Sequence, residues 1–92
     1  KFKAINDVYG HDVGDEVIKD IAVALKQHFP NDIVARMRGG EFAVLSVDTQ
    51  YQTSFDYIDA FREKINNQKL NIKGHAIRCT CSIRVSGYRI KA

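Results

Sequence analysis

Ile33-Val34-Ala35-Arg36-Met37-Arg38-Gly39-Gly40-Glu41-Phe42-Ala43-Val44-Leu45-Ser46-Val47 decides the fold class. Ile33 to Met37 is short and β-prone. Phe42 to Val47 is an almost continuous apolar run. Gly39-Gly40 lies between them, so the stretch reads as a β-hairpin. Apolar residues on both faces of the second strand place it at the centre of a sheet.

Upstream, Val17, Ile18, Ile21, Ala24, Leu25 and Phe29 recur at threes and fours, which predicts a helix over 14–29. Asp15 and Glu16 suit its first turn, and Pro30-Asn31 stops it. Gly10 to Asp15 reads as a turn-rich break. Before it, Lys1 to Tyr9 sets Phe2, Ile5 and either Val8 or Tyr9 at helical spacing. Downstream, Asp48 to Thr53 is a polar loop, and Ser54 suits the cap of a helix with Phe55, Ile58, Phe61 and Ile65 on one face. Asn66-Asn67-Gln68 ends it. Leu70 to Lys73 is a short edge strand, followed by a turn at Gly74-His75. From Ile77 the alternation is strict. Ile77, Cys79, Cys81, Ile83 and Val85 face one way, and Arg78, Thr80, Ser82, Arg84 and Ser86 the other, as in a half-buried antiparallel strand. The whole is α+β, a mainly antiparallel sheet with two or three helices on one face.

The 92 residues suit one small domain, and a 45% hydrophobic content supports a single core. Six Gly and one Pro argue against a disordered or collagen-like chain. The net charge of +3 is modest, with basic and acidic residues interspersed, so nucleic acid is not the expected partner. No apolar run approaches the roughly 20 residues of a membrane span, and no signal peptide opens the chain. No membrane contact is expected of this domain, and a cytoplasmic location is. Cys79 and Cys81 would share one face of a strand and read as a reduced pair of small hydrophobes. A C-x-C zinc half-site needs partners, and only His75 is near.

Two polar clusters carry the chemistry. The first is Phe2-Lys3-x-x-Asn6-Asp7-x-x-Gly10-His11-x-x-Gly14-Asp15. Lys3 offers a point charge for phosphate. The Asn6 amide and the Asp15 carboxylate together complement a guanine edge, which presents donors and acceptors side by side. A helix N-terminus near Gly14 also favours an anion. Taken singly, Asp7, Asp12 and Asp15 read equally as caps and turn residues. The second cluster is Arg38-Gly39-Gly40-Glu41-Phe42. Its glycines admit a ligand close to the backbone, and Glu41 suits a metal ligand or a base. The same glycines also serve a plain hairpin turn.

Together, Lys-x-x-Asn-Asp-x-x-Gly-His-x-x-Gly-Asp and the later Arg-x-Arg-Gly-Gly-Glu-Phe resemble the GGDEF family of diguanylate cyclases. The resemblance covers nearly the whole chain, and Thr80-Cys81-Ser82-Ile83 looks like the family's late strand. It implies a fold like the palm of nucleotide cyclases and polymerases. It implies a head-to-head homodimer that joins two GTP into cyclic di-GMP with Mg²⁺. By position, Asn6 and Asp15 would contact guanine and Lys3 phosphate, with Gly39 also against the nucleotide.

The departures from the family decide the expected function. The signature is Gly-Gly-Asp/Glu-Glu-Phe, and here the five positions are Arg38, Gly39, Gly40, Glu41 and Phe42. Gly40 stands where the family has a metal-binding carboxylate, and Arg38 where it has a glycine. A one-residue shift, with one acid deleted, reads the same stretch as Gly-Gly-Glu-Phe. Either way a carboxylate is missing, and Glu41 is left as the remnant catalytic and metal-binding candidate. The inhibitory Arg-x-x-Asp of many members is Phe29-Pro30-Asn31-Asp32 here. Asp32 matches, Phe29 cannot supply the guanidinium fork, and no inhibitory site is expected. Lys1 falls partway through the family's first-strand pattern, and the last helix would lie beyond Ala92, so residues 1–92 are expected to form one partial GGDEF domain with an exposed sheet edge. The expected role is regulatory: GTP binding without turnover, or dimerisation and signal relay beside a phosphodiesterase or sensor domain. The alternatives are an active cyclase and a structural module that takes no nucleotide.

Overall fold

The computed structural model describes residues 2–45 and 55–83. The elements run α1 (Phe2–Tyr9), α2 (His11–His28), β1 (Ile33–Arg38), β2 (Glu41–Leu45), α3 (Phe55–Asn67), β3 (Lys69–Ile72) and β4 (His75–Arg78). The fold is α+β and its strand pairs are antiparallel. The Ser54 cap and the strand residues 46, 47 and 84–86 lie outside the described residues.

Gly10 alone separates the first two helices. Its φ of 92° belongs to glycine, and its backbone N–H still bonds the Asn6 carbonyl at 2.9 Å. The expected break over 10–15 is therefore one residue, and α2 starts at His11 rather than Gly14. Asp12, not Asp15 or Glu16, lies in the first turn. Glycine costs a helix interior up to about 1 kcal/mol. Gly14 is nevertheless buried inside α2, because α1 packs too close for a side chain there.

α2 is the spine, contacting α1, β1 and β3. Val13, Val17, Ala24, Leu25 and Phe29 join Ile5, Phe61, Ile65, Ile72, Ile77 and Cys79 in one core. Val17 and Ile77 are each 2% exposed. Such burial is worth about 1.5–3 kcal/mol per aliphatic side chain. Neither Val8 nor Tyr9 joins the core: Val8 is 72% and Tyr9 37% exposed, the Tyr9 ring lying 5.0 Å from that of the exposed His75. Phe29 closes the apolar stripe of α2.

Among the described residues, two hairpins flank this spine rather than one continuous sheet. β1 pairs with β2, and β3 with β4. The central position expected for β2 does not hold among the described residues, where β1 is its only partner. Phe42 and Val44 turn to the core, while Ala43 and Leu45 are exposed. Apolar character on both faces did not require both to be covered. The second hairpin turns at Lys73-Gly74, one residue earlier than expected. Their φ values of 50° and 85° suit a two-residue hairpin turn. β4 ends at Arg78, sooner than the alternation suggested. The alternation still sets burial as far as Cys81, since Cys79 is buried, Cys81 half-buried and Thr80 exposed, but it fails at Ile83, which was expected on the covered face and is 39% exposed. The Asn66 carboxamide holds this tail by accepting the Cys81 N–H at 3.1 Å. Both cysteines are free thiols, and burial pushes both thiols up from the ordinary value.

Candidate functional site

Phe2 joins the two sequence clusters. A Cβ built on Gly40 would lie 2.8 Å from Phe2 Cβ and 3.1 Å from its Cγ. A Cβ on Gly14 would lie 3.5 Å from the Phe2 ring at Cε1. The tip of the first hairpin, the start of α1 and the first turns of α2 therefore meet around one phenylalanine. Neither glycine has room for a side chain unless its neighbours shift.

Asn6 lies one turn along α1 from Phe2. Its carboxamide faces Gly14 so closely that a Cβ there would stand 1.8 Å from Oδ1. Asn6 Oδ1 is buried and accepts no hydrogen bond. A buried acceptor left unpaired costs about 1–3 kcal/mol, and no donor for this atom stands among the described residues.

The remaining site candidates are on the surface. Lys3 is 89% exposed, with Nζ 3.5 Å from Asp7 one helical turn on. Asp15 is exposed. Glu41 is 72% exposed, and its Oε1 lies 3.9 Å from Arg38 Nε. The structure thus brings Asn6, Gly14, Phe2 and Gly40 together, and leaves Lys3, Asp15 and Glu41 around them without mutual contacts. The N-terminus of α2 lies at His11, a turn before Gly14, so the anion site expected at Gly14 is not a helix terminus.

The hairpin tip is held by Arg36, the first residue of the Arg-x-Arg-Gly-Gly-Glu-Phe motif, to which the sequence assigned no role. Arg36 donates Nε–H and Nη2–H to the Gly39 carbonyl at 3.1 and 3.0 Å. Gly39 has φ 53°, and the register slips between Arg36 and Arg38, so that Arg38 faces Glu41. This bulge turns Arg38 outward, and it is 90% exposed. Arg36 and Phe2 both stand inside the quoted motifs, but neither has a role there that the sequence alone assigns. A glycine on the apolar stripe of a helix, as Gly14 is beside Val13, Val17 and Ile18, was the available signal of a close approach.

The Mg²⁺ implied by the family resemblance does not fit this donor set. A hard divalent cation needs several oxygen ligands. Gly40 offers no side chain, and Glu41 faces the Arg38 guanidinium. The described residues hold no group of three or more His, Cys, Asp or Glu side chains suited to a metal.

Residues 1–91 match the family model "Diguanylate cyclase, GGDEF domain". Diguanylate cyclase A of Treponema denticola is 35% identical over 88 residues, which is 95% of this chain and 24% of that protein. Diguanylate cyclase DgcP of Pseudomonas aeruginosa is 34% identical over 88 residues, 95% of this chain and 13% of that protein. Cyclic di-GMP phosphodiesterase NbdA, also of Pseudomonas aeruginosa, is 33% identical over 88 residues, 95% of this chain and 11% of that protein. The chain belongs to the GGDEF domain family of diguanylate cyclases, and through it to cyclic di-GMP signalling. It spans a quarter or less of the length of these relatives. Its α+β arrangement is consistent with the family's fold. No helix among the described residues is long and apolar enough to cross a membrane.

Proposed function

We propose that residues 1–92 belong to one GGDEF domain that is regulatory, binding GTP without converting it. The observation that carries this reading is Gly40. It stands at the position of the family's metal-binding acid, and the direction a side chain would take is filled by Phe2. Nucleotide binding is supported separately by Asn6, whose buried Oδ1 has no donor and would accept an N–H from the guanine edge. Lys3, exposed at the start of α1, would meet phosphate, and the exposed Asp15 the base, as the family resemblance implies. The domain would relay its nucleotide state to a second copy or to an adjacent phosphodiesterase or sensor domain. The relative named as a cyclic di-GMP phosphodiesterase supports that placement.

The second reading, an active cyclase, is favoured by the relatives whose names are diguanylate cyclases. One experiment separates the two. The intact protein is incubated with GTP and Mg²⁺, and the products are resolved by chromatography. The regulatory reading expects GTP to remain. Cyclic di-GMP production that disappears in Glu41→Ala would establish the cyclase instead. Calorimetry with GTP tests the binding, which Asn6→Ala should weaken by about 1–3 kcal/mol, the cost of an unmet buried partner. No heat at millimolar GTP would leave only a structural module.

A further inference from the structure

We infer that Arg38 stands in for the divalent cation at this hairpin, so that the triphosphate of a bound nucleotide is met by a guanidinium and needs no metal. The inference rests on the proposed nucleotide binding and names how the phosphates are held.

Four observations carry it. First, the place for a metal-binding side chain is filled. A Cβ on Gly40 would strike Phe2 Cβ at 2.8 Å, an atom rooted in the α1 backbone and unable to swing aside. Second, the remaining carboxylate already has a cation beside it, with Arg38 Nε 3.9 Å from Glu41 Oε1. A divalent ion approaching Glu41 meets a like charge at contact distance, while an anion meets an attractive one. Third, Arg36 is committed to the Gly39 carbonyl through two N–H groups, which holds the turn in shape and adds a second positive charge behind it. The tip therefore carries two guanidinium groups against one carboxylate. Fourth, the space in front of the turn is open. A Cβ at Gly39 would meet nothing within 4 Å, and Arg38 is 90% exposed, its 3.9 Å pairing with Glu41 lying at the surface where a phosphate can compete for it. A planar guanidinium grips phosphate oxygens in pairs, which suits it to this task better than a lysine.

The test uses the intact protein and two independent readouts. GTP is titrated by calorimetry in excess EDTA and again in excess Mg²⁺. The affinities should agree within about threefold, since no metal bridge is made. Arg38→Gly should lower the affinity in EDTA tenfold or more. Arg38→Lys, which keeps the charge and loses the fork, should fall between. Separately, Mn²⁺ is titrated without nucleotide and followed by electron paramagnetic resonance, and no saturable binding is expected. Binding of GTP only with Mg²⁺, saturable Mn²⁺ binding, or an Arg38→Gly variant that binds as well as the parent would each overturn the inference while leaving nucleotide binding intact. Absence of GTP binding under both conditions would instead remove the nucleotide-binding reading, and this inference with it.

Discussion

Asn6 and Gly14 form a matched pair, and neither makes sense without the other. Glycine inside a helix is a cost, and an unpartnered buried amide oxygen is another. Both follow if the amide must stand against the α2 backbone to face a ligand. Gly14→Ala tests this by separating stability from binding. The new Cβ would lie 1.8 Å from Asn6 Oδ1, the far end of a side chain that can swing away. Alanine regains up to about 1 kcal/mol of helix propensity, which offsets the loss of packing. The thermal midpoint should therefore move little, whereas GTP affinity should fall about tenfold or more as Asn6 leaves its place. A large drop in melting temperature with unchanged affinity would contradict this account. The pattern of Asn6 and Gly14 was visible in the sequence as a motif. The reason for it was not, because nothing in a linear chain says which side chain fills the space above a glycine.

Elements meet through aromatic contacts whose partners are distant in sequence. The end of α2 is tied to α3 by His28 and Tyr57, with rings stacked 4.2 Å apart. His28 Nε2 lies 2.8 Å from the Tyr57 carbonyl oxygen, and the Tyr57 hydroxyl donates to the His28 carbonyl. Phe29 and Phe61 complete the cluster. The Tyr57 hydroxyl satisfies a carbonyl in the last turn of α2, where intrahelical donors run out. Tyr57→Phe removes that bond and keeps the ring stack. It should cost about 0.5–1.5 kcal/mol, read as a lower urea midpoint with an unchanged slope. A midpoint equal to that of the parent would show that the bond contributes nothing net. The helices themselves were legible, since Val17 to Phe29 and Ile58 to Ile65 repeat at 3.6. Their ends were less so. A cluster of Gly and Asp between 10 and 15 looks like a turn, yet five of these six residues are helical because α1 packs against them.

Across the whole molecule, one core gathers residues from all three helices and the second hairpin, and the first hairpin lies partly buried against it. Cys79 and Cys81 lie on the inner side of the last described segment, and burial raises both thiols above 9.0. For Cys81 the nearby Arg62 pulls the other way but less strongly. The sign follows from proton binding. The folded chain holds these protons more tightly than the unfolded chain, so their contribution is complete below the unfolded thiol value and is lost as pH rises through the folded one. Stability should fall from about pH 8.5 upward. Urea midpoints at pH 7.5 and 9.5 measure the loss, and replacing both cysteines by alanine should flatten the difference. An unchanged difference in that double variant would assign it to other groups.

Local physics was enough for the α+β class, the antiparallel pairing and the core-facing stripes of α2 and α3, because apolar spacing and glycine turns act within a few residues. The family was legible separately, through the resemblance of two polar motifs, each a run of neighbours, to those of GGDEF domains. The separation into two hairpins, the exposed outer face of β2 and the meeting of Gly14, Gly40 and Asn6 around Phe2 were decided only in three dimensions. Each depends on which surfaces approach one another, and that is set by packing between segments that share no sequence neighbourhood.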